Sequence, residues 1–128
     1  MDKNKKIGIK LYDGTFVPIL DVNEPKSKRV VLTTVQDNQK KAIIELYEGT
    51  NNNCMYNEFL GKLIINIDRE TKRGEPGIEV NLRLDNNGIL YVKAWDAESN
   101  AQASIMIEHS KKSEKKIEHE NEPAGPAV

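Results

Sequence analysis

The chain has 128 residues, and its 19 basic residues nearly balance its 20 acidic ones to give a formal net charge of −1. This length allows one domain with a substantial core, and the charge balance gives no overall attraction to nucleic acid or to anionic membranes. No apolar run approaches the ~20 residues of a membrane span, no signal-peptide core follows Met1, and the lone Cys54 cannot form an internal disulfide. We therefore expect a cytoplasmic protein that binds neither nucleic acid nor membranes.

Three short basic clusters interrupt this charge balance, at residues 3–6, 26–29 and 111–116. Each cluster has acidic or polar neighbours, which is typical of a solvated surface. We expect all three to face solvent.

The first half of the chain contains short runs in which apolar residues alternate with polar ones or β-branched residues dominate. These runs predict four strands: residues 7–11, 16–20, 30–34 and 42–47. Pro18 cannot donate a hydrogen bond to a sheet, so it indicates an edge or bulged position in the second strand. Turns or loops are predicted at residues 12–15, 23–28 and 35–40.

The second half begins with a polar loop at residues 50–54 and contains a long charged connection at residues 66–77. Four further strands are predicted: residues 59–65, 78–84, 89–95 and 101–108. The pair around residues 85–88 is a hairpin, because strict alternation precedes Asn87-Gly88 and an Asn-Gly pair tolerates the positive φ angles of a tight turn.

About eight strands, frequent turns and no credible core helix predict an all-β, two-layer antiparallel sandwich at residues 7–108. Residues 1–6 are a charged extension. Residues 109–128 are rich in Lys, Glu and Ser, and Ile117 is the one strongly apolar residue between Ser110 and Glu122. A single apolar residue cannot anchor an amphipathic helix, so we expect a charged, disordered tail.

No catalytic or metal-binding constellation stands out. His109 and His119 lie in or beside the tail, and Cys54 has no base beside it, which indicates an incidental loop thiol. The acidic residues of the 66–77 connection are interrupted by basic ones and lack a calcium-loop spacing. No strand–glycine-loop–helix pattern indicates a phosphate site. We expect no enzyme activity and no cofactor.

The sequence of the hairpin is specific. Residues 74–80 read Gly-Glu-Pro-Gly-Ile-Glu-Val, followed in register by Asn87-Gly88-Ile89-Leu90 and by Ala94-Trp95-Asp96. With Asp37-Asn38-Gln39, Tyr47-Glu48-Gly49 and Asn57-Glu58-Phe59-Leu60-Gly61, this pattern resembles the β-sandwich of the peptide-binding domain of DnaK-type 70-kDa heat-shock chaperones. Ile7-Gly8-Ile9 and Gly14 also match. The resemblance covers residues 7–108 and implies a part in the stress response.

By this resemblance, one end of the sandwich would hold an extended peptide, with main-chain hydrogen bonds and one side chain in a small apolar pocket. Tyr12 and Val35 would arch over the peptide, while Thr33 and Gln39 would lie along the groove. Five aliphatic residues would line the pocket: Ile9, Leu32, Ala42, Ile44 and Ile78. The simpler alternative is that Leu32, Ile44 and Ile78 are ordinary core residues.

The chain departs from the family pattern at several positions. Ala42 stands where a larger branched residue is usual, and Leu32 stands where an aromatic is common. Arg73 matches an arginine that helps to latch a helical lid, and Asn87 replaces an aspartate that faces the nucleotide-binding domain. Neither that domain nor the lid is recognised, so we expect peptide binding without ATP-driven cycling.

The expected partners are extended hydrophobic segments of unfolded polypeptides, together with other chaperone components. One alternative is a degenerate sandwich that serves as an interaction or oligomerisation module. Its groove would be filled by its own side chains or by a neighbour's tail, for which the apolar end at residues 124–128 is a candidate. A lipocalin-like barrel is disfavoured by the long polar loops.

Overall fold

The computed structural model describes residues 5–108, which form two antiparallel sheets packed face to face. The strands are β1 (Lys6–Lys10), β2 (Phe16–Asp21), β3 (Lys26–Leu32), β4 (Lys41–Gly49), β5 (Glu58–Asn66), β6 (Ile78–Leu84), β7 (Ile89–Asp96) and β8 (Gln102–Glu108). A short 3₁₀ turn, Cys54–Tyr56, precedes β5. The predicted tail at residues 109–128 and most of the predicted N-terminal extension lie outside the described residues.

The first sheet has the strand order β2-β1-β4-β5, and the second has the order β3-β6-β7-β8. The prediction of an all-β, two-layer antiparallel sandwich with about eight strands is confirmed. The chain crosses from the first sheet to the second and back around β3, and it crosses again between β5 and β6. Because of these crossings, the loops on either side of β3 connect the two layers.

The β6–β7 hairpin shows how alternation produces the core. Every second residue of β6 is buried from Ile78 to Leu84, while the intervening polar residues lie on the outer face. In the turn, Gly88 has a φ of 80° and donates its N–H to the carbonyl of Asp85 at 3.2 Å. The Asp85 carboxylate accepts from the N–H groups of Asn87 and Ile89. The predicted hairpin is therefore confirmed.

Pro18 lies where the sequence predicted it, on an edge strand and at an irregularity. β2 is the edge of the first sheet, and the β1–β2 register shifts between Ile7 and Gly8 so that Gly8 lies opposite Pro18. A Cβ atom at Gly8 would lie only 2.0 Å from the carbonyl oxygen of Val17. The close approach of the two strands therefore requires glycine at position 8.

β3 begins and ends earlier than the sequence predicted. It pairs with β6 from Lys26↔Leu84 to Leu32↔Ile78, so residues 26–28 are strand rather than loop, and Thr33 and Thr34 follow the strand. The first four residues of β3 are exposed, because this strand is the edge of the second sheet. An edge strand need not alternate polar and apolar residues, and this explains why periodicity missed its start.

Candidate peptide-binding groove

Two loops lie at the same end of the sandwich, and both contain predicted groove residues. β1 pairs with β4 antiparallel, with Ile9 opposite Leu46. The C-terminal end of β1 therefore lies beside the N-terminal half of β4, and the 11–15 turn and the 33–40 loop occupy the same end. This is the arrangement that the predicted groove requires.

The 11–15 turn is closed by two internal backbone hydrogen bonds, from Leu11 N–H to the Thr15 carbonyl and from Gly14 N–H to the Leu11 carbonyl, both 2.9 Å. Gly14 has a φ of 93°, in the left-handed region that glycine adopts readily. The Asp13 carboxylate accepts from Thr15 N–H at 3.0 Å, and its hydrogen bonds with Thr15 lower the Asp13 pKa. Tyr12 projects from this turn with 65% of its surface exposed.

A second segment, residues 50–57, supports the 11–15 turn from outside. Phe16 N–H donates to the Asn52 carbonyl at 2.8 Å, and Cys54 N–H donates to the Gly14 carbonyl at 3.0 Å. An isolated β-bridge joins Thr15 to Asn53. The position of Tyr12 therefore depends on a segment about 40 residues further along the chain.

The 33–40 loop is organised from within by Gln39, which is buried. Its side-chain oxygen accepts from the N–H groups of Val35 and Gln36 at 2.9 and 3.2 Å, and its Nε2 donates to the Lys41 carbonyl at 2.7 Å. The Gln39 amide thus shapes the loop that carries Val35. Any direct contact between Gln39 and a peptide stays a prediction.

The 67–77 connection braces this loop along its outer side. Asn38, which has a φ of 54°, exchanges hydrogen bonds with Thr71: Asn38 N–H donates to the Thr71 carbonyl at 2.7 Å, and Thr71 N–H donates to Asn38 Oδ1 at 3.0 Å. The Thr33 hydroxyl donates to the Pro76 carbonyl at 2.7 Å. Gly74 N–H donates to the Thr34 carbonyl at 3.1 Å.

The structure separates the predicted site residues into two groups. Tyr12 and Thr33 are exposed and Val35 and Leu32 are half-buried, so these four lie at or near the surface of the loop end. The other aliphatic residues belong to the core between the sheets and are at most 1% exposed: Ile9, Ala42, Ile44 and Ile78. Leu32 joins the two groups, because it pairs with Ile78 and packs against the core.

Neither of two surface cavities in the described residues is lined by the predicted pocket residues. One of about 240 Å³ is bounded by β2 and the start of β3, and another of about 360 Å³ lies beside Asp37 and Thr71. In this structure the aliphatic walls of the predicted pocket are in contact with other core residues. These walls therefore belong to the sandwich core, and a surface groove over them stays a prediction.

Sequence reasoning missed the residues that hold the two loops in place. Asn38 and Thr71 are distant in the sequence, and the only signal was the turn-forming pair Asp37-Asn38.

Cys54 was expected to be an incidental loop thiol, but it is buried at the start of the 3₁₀ turn. Its burial raises the pKa of the thiol, with Lys10 acting in the opposite direction.

The family model for the Hsp70 protein matches residues 3–124, nearly the whole chain. The chain belongs to the Hsp70 family. This Hsp70-family chain is 36% identical over 106 residues to the chaperone protein DnaK of Carsonella ruddii, covering 81% of the chain and 18% of the relative.

Two further relatives are also named chaperone protein DnaK. The protein from Mycoplasmopsis agalactiae is 36% identical over 115 residues, or 88% of this chain and 19% of the relative. The protein from Anaplasma marginale is 33% identical over 106 residues, or 81% of this chain and 16% of the relative. The Hsp70-family chain thus spans less than a fifth of the length of these relatives.

Two other findings concern the part of the chain that the structure describes. Residues 5–108 contain no helix with the length and apolarity that a membrane crossing requires. Over the same range, His, Cys, Asp and Glu side chains do not gather in groups of three that could hold a metal ion.

Proposed function

We propose that this chain is a chaperone module that binds extended, apolar segments of unfolded polypeptide at the end of the sandwich formed by the 11–15 turn and the 33–40 loop. The observation that carries the proposal is that these two loops lie at the same end of the sandwich and that each is held by a second segment, residues 50–57 and 67–77 respectively. Membership of the Hsp70 family supports it.

The bound segment would lie extended, with main-chain hydrogen bonds to the loops and the strand ends. Tyr12 and Val35 would flank it, and Leu32 would form the apolar floor between them. Burial of one leucine side chain contributes about 1.5–3 kcal/mol, and each net hydrogen bond adds about 0.5–1.5 kcal/mol. After the ordering costs, we expect an affinity of roughly micromolar or weaker.

The burial of Ile9, Ala42 and Ile44 limits how far a side chain of the bound peptide could enter the sandwich. A peptide side chain can reach these residues only if the 11–15 turn and the 33–40 loop move apart. We propose that shallow binding on Tyr12, Leu32 and Val35 comes first and that loop separation follows. We also propose that these steps need no nucleotide, so that added ATP leaves the affinity unchanged.

A leucine-rich heptapeptide with a fluorescent label tests the proposal by anisotropy. We expect saturable binding that the Tyr12→Ala variant weakens about fivefold or more. Met106→Ala is the matched control, because Met106 is similarly exposed but lies on the outer face of β8. Ile44→Asp is unsuitable, since a carboxylate at this fully buried position would unfold the core. Absence of saturation up to millimolar peptide would reject the proposal.

A second candidate function is a protein interaction or oligomerisation module with a permanently closed groove. The observation that favours it is the complete burial of the pocket walls at Ile9, Ala42, Ile44 and Ile78. This candidate predicts a mass in sedimentation that rises with protein concentration, with no peptide binding. A constant monomer mass together with peptide binding would exclude it.

A further inference from the structure

The edge of β3 differs from the other sheet edges in the described part of the sandwich. The edge strands are β2 and β5 in the first sheet and β3 and β8 in the second. β5 and β8 pack closely against each other between the two sheets, and a Cβ added at Gly61 would lie 3.0 Å from Ile105 Cδ1. β2 carries Pro18 and a register shift, which make it a poor template for a further strand. β3 has neither protection.

β3 pairs with β6 along one side over its whole length, from Lys26 to Leu32. In an antiparallel pair, alternate residues direct both backbone hydrogen-bonding groups towards the partner, and the residues between them direct both groups away. The other side of β3 therefore presents a row of N–H and C=O groups that no strand within residues 5–108 pairs. Such an edge accepts an additional strand.

The side chains of this edge carry a clear charge signature. Residues 26–29 read Lys-Ser-Lys-Arg, all four are exposed, and β3 contains no acidic residue. Lys26 and Lys28 are two positions apart and therefore share one face, where they line the cavity of about 240 Å³ between β2 and β3. Lys6 lines the same cavity.

The anions in this cavity only partly balance the three lysines. Asp21 pairs with Lys6 at 3.3 Å, and Glu24 pairs with Lys26 at 3.6 Å with both side chains more than half exposed. Lys28 has no ion-pair partner among the described residues. The exposed Glu24–Lys26 pair is weak and easily exchanged, so the edge can accept further carboxylates.

We propose that β3 is a second binding edge, for an extended acidic polypeptide segment that adds as a strand to the second sheet. Its carboxylates, at alternate positions, lie opposite Lys26 and Lys28, and its backbone pairs with the open side of β3. Lysines on an edge deter neutral apolar strands, and the same lysines select an acidic one. This site is separate from the groove and takes a ligand of opposite character.

The proposal can be tested with the full chain and a labelled heptapeptide in which threonine and glutamate alternate. This peptide has no large apolar side chain that could occupy the groove. We expect saturable binding at low salt that weakens at 0.3 M salt. The double variant K26Q/K28Q should lose about fivefold to tenfold in affinity. The control K72Q/K93Q changes the net charge equally at two exposed lysines outside this edge and should lose less than about twofold.

Hydrogen exchange provides a second readout that locates the peptide. Added threonine–glutamate peptide should slow the exchange of amides in residues 26–32 and leave the 11–15 turn unchanged. Tyr12→Ala should bind this peptide as tightly as the natural sequence does, even if the groove proposal fails. Equal losses in the two double variants, or protection confined to the 11–15 turn and the 33–40 loop, would overturn the proposal.

Discussion

Arg69 holds the carboxylate of Asp96 through two hydrogen bonds, Nη1 to Oδ2 at 2.5 Å and Nη2 to Oδ1 at 3.1 Å. The Asp96 side chain is fully buried at the end of β7, and it also accepts from the N–H of Glu98 and the hydroxyl of Ser99. This contact joins the 67–77 connection to the turn between β7 and β8. The connection that braces the 33–40 loop is therefore anchored to the second sheet.

Arg69→Met should lower the free energy of unfolding, because it leaves the buried Asp96 carboxylate without its counter-charge. We expect a loss of about 2–3 kcal/mol, less than for a fully buried pair because Arg69 keeps partial contact with solvent. Urea titration measures it. The control is Arg29→Met, because the Arg29 side chain that pairs with Glu79 is 62% exposed and its loss should cost less than about 0.5 kcal/mol. Equal losses of unfolding free energy in the two variants would contradict the anchoring role of Arg69.

Asp96 should also make stability depend on pH in the acid range. Its hydrogen bonds with Arg69 hold the pKa of this carboxyl below its ordinary value, despite the opposing effect of burial. At a pH between the folded and unfolded values, the unfolded chain binds the proton and the folded chain does not, so stability falls as the pH is lowered.

Unfolding of the natural chain and of Asp96→Asn should therefore be compared from about pH 6 down to about pH 2. We expect the natural chain to lose stability below about pH 4, as the pH falls through the lowered pKa of Asp96. In the Asn variant the free energy of unfolding should change less steeply with pH. Identical slopes would show that other carboxyl groups cause the acid sensitivity.

Gln39→Ala should loosen the 33–40 loop. The substitution removes the acceptor for the N–H groups of Val35 and Gln36 and the donor to the Lys41 carbonyl. We expect a loss of about 1–3 kcal/mol in stability and faster hydrogen exchange at the amides of Val35 and Gln36. Gln36→Ala, at an exposed neighbouring position, is the control and should have little effect. Unchanged exchange in the Gln39 variant would disprove its organising role.

Gly8→Ala should disturb the β1–β2 pairing, because the added Cβ meets the Val17 carbonyl oxygen, which belongs to the backbone and cannot rotate away. We expect a loss of about 2–3 kcal/mol in the free energy of unfolding. Gly77→Ala is a suitable control, since its Cβ would make only ordinary contacts at 3.9 Å. Thermal unfolding of both variants decides the comparison, and a harmless Gly8→Ala would show that the two strands can separate locally.

The strands of the sandwich were predicted well from the sequence where one face of the strand is buried and the other is exposed to solvent. β6 and its turn at Asp85–Gly88 are the clearest case, because alternation and turn chemistry agree. The start of β3 was missed, since an edge strand without a buried stripe has no such period. The brace between Asn38 and Thr71 could not be predicted, because it joins positions 33 residues apart and no local pattern identifies the partner of the Asn38 side chain.

The candidate site shows a different limit of prediction from sequence. Ile9, Ala42, Ile44 and Ile78 were assigned to a pocket by resemblance, and the structure places their side chains in the core. Aliphatic residues at alternate positions are equally suited to a pocket wall and to a core, so their sequence pattern cannot separate the two. The loop residue Tyr12 was more informative, because a large apolar side chain in a turn has no core to enter.

The bridge between Thr15 and Asn53 ties the turn between β1 and β2 to the segment that precedes β5. An insertion of one residue between Thr50 and Asn53 would shift the register of that bridge and re-aim Tyr12, although the turn that carries Tyr12 would keep its own sequence. A change of length in the 50–57 segment would therefore move Tyr12 without any substitution in the 11–15 turn.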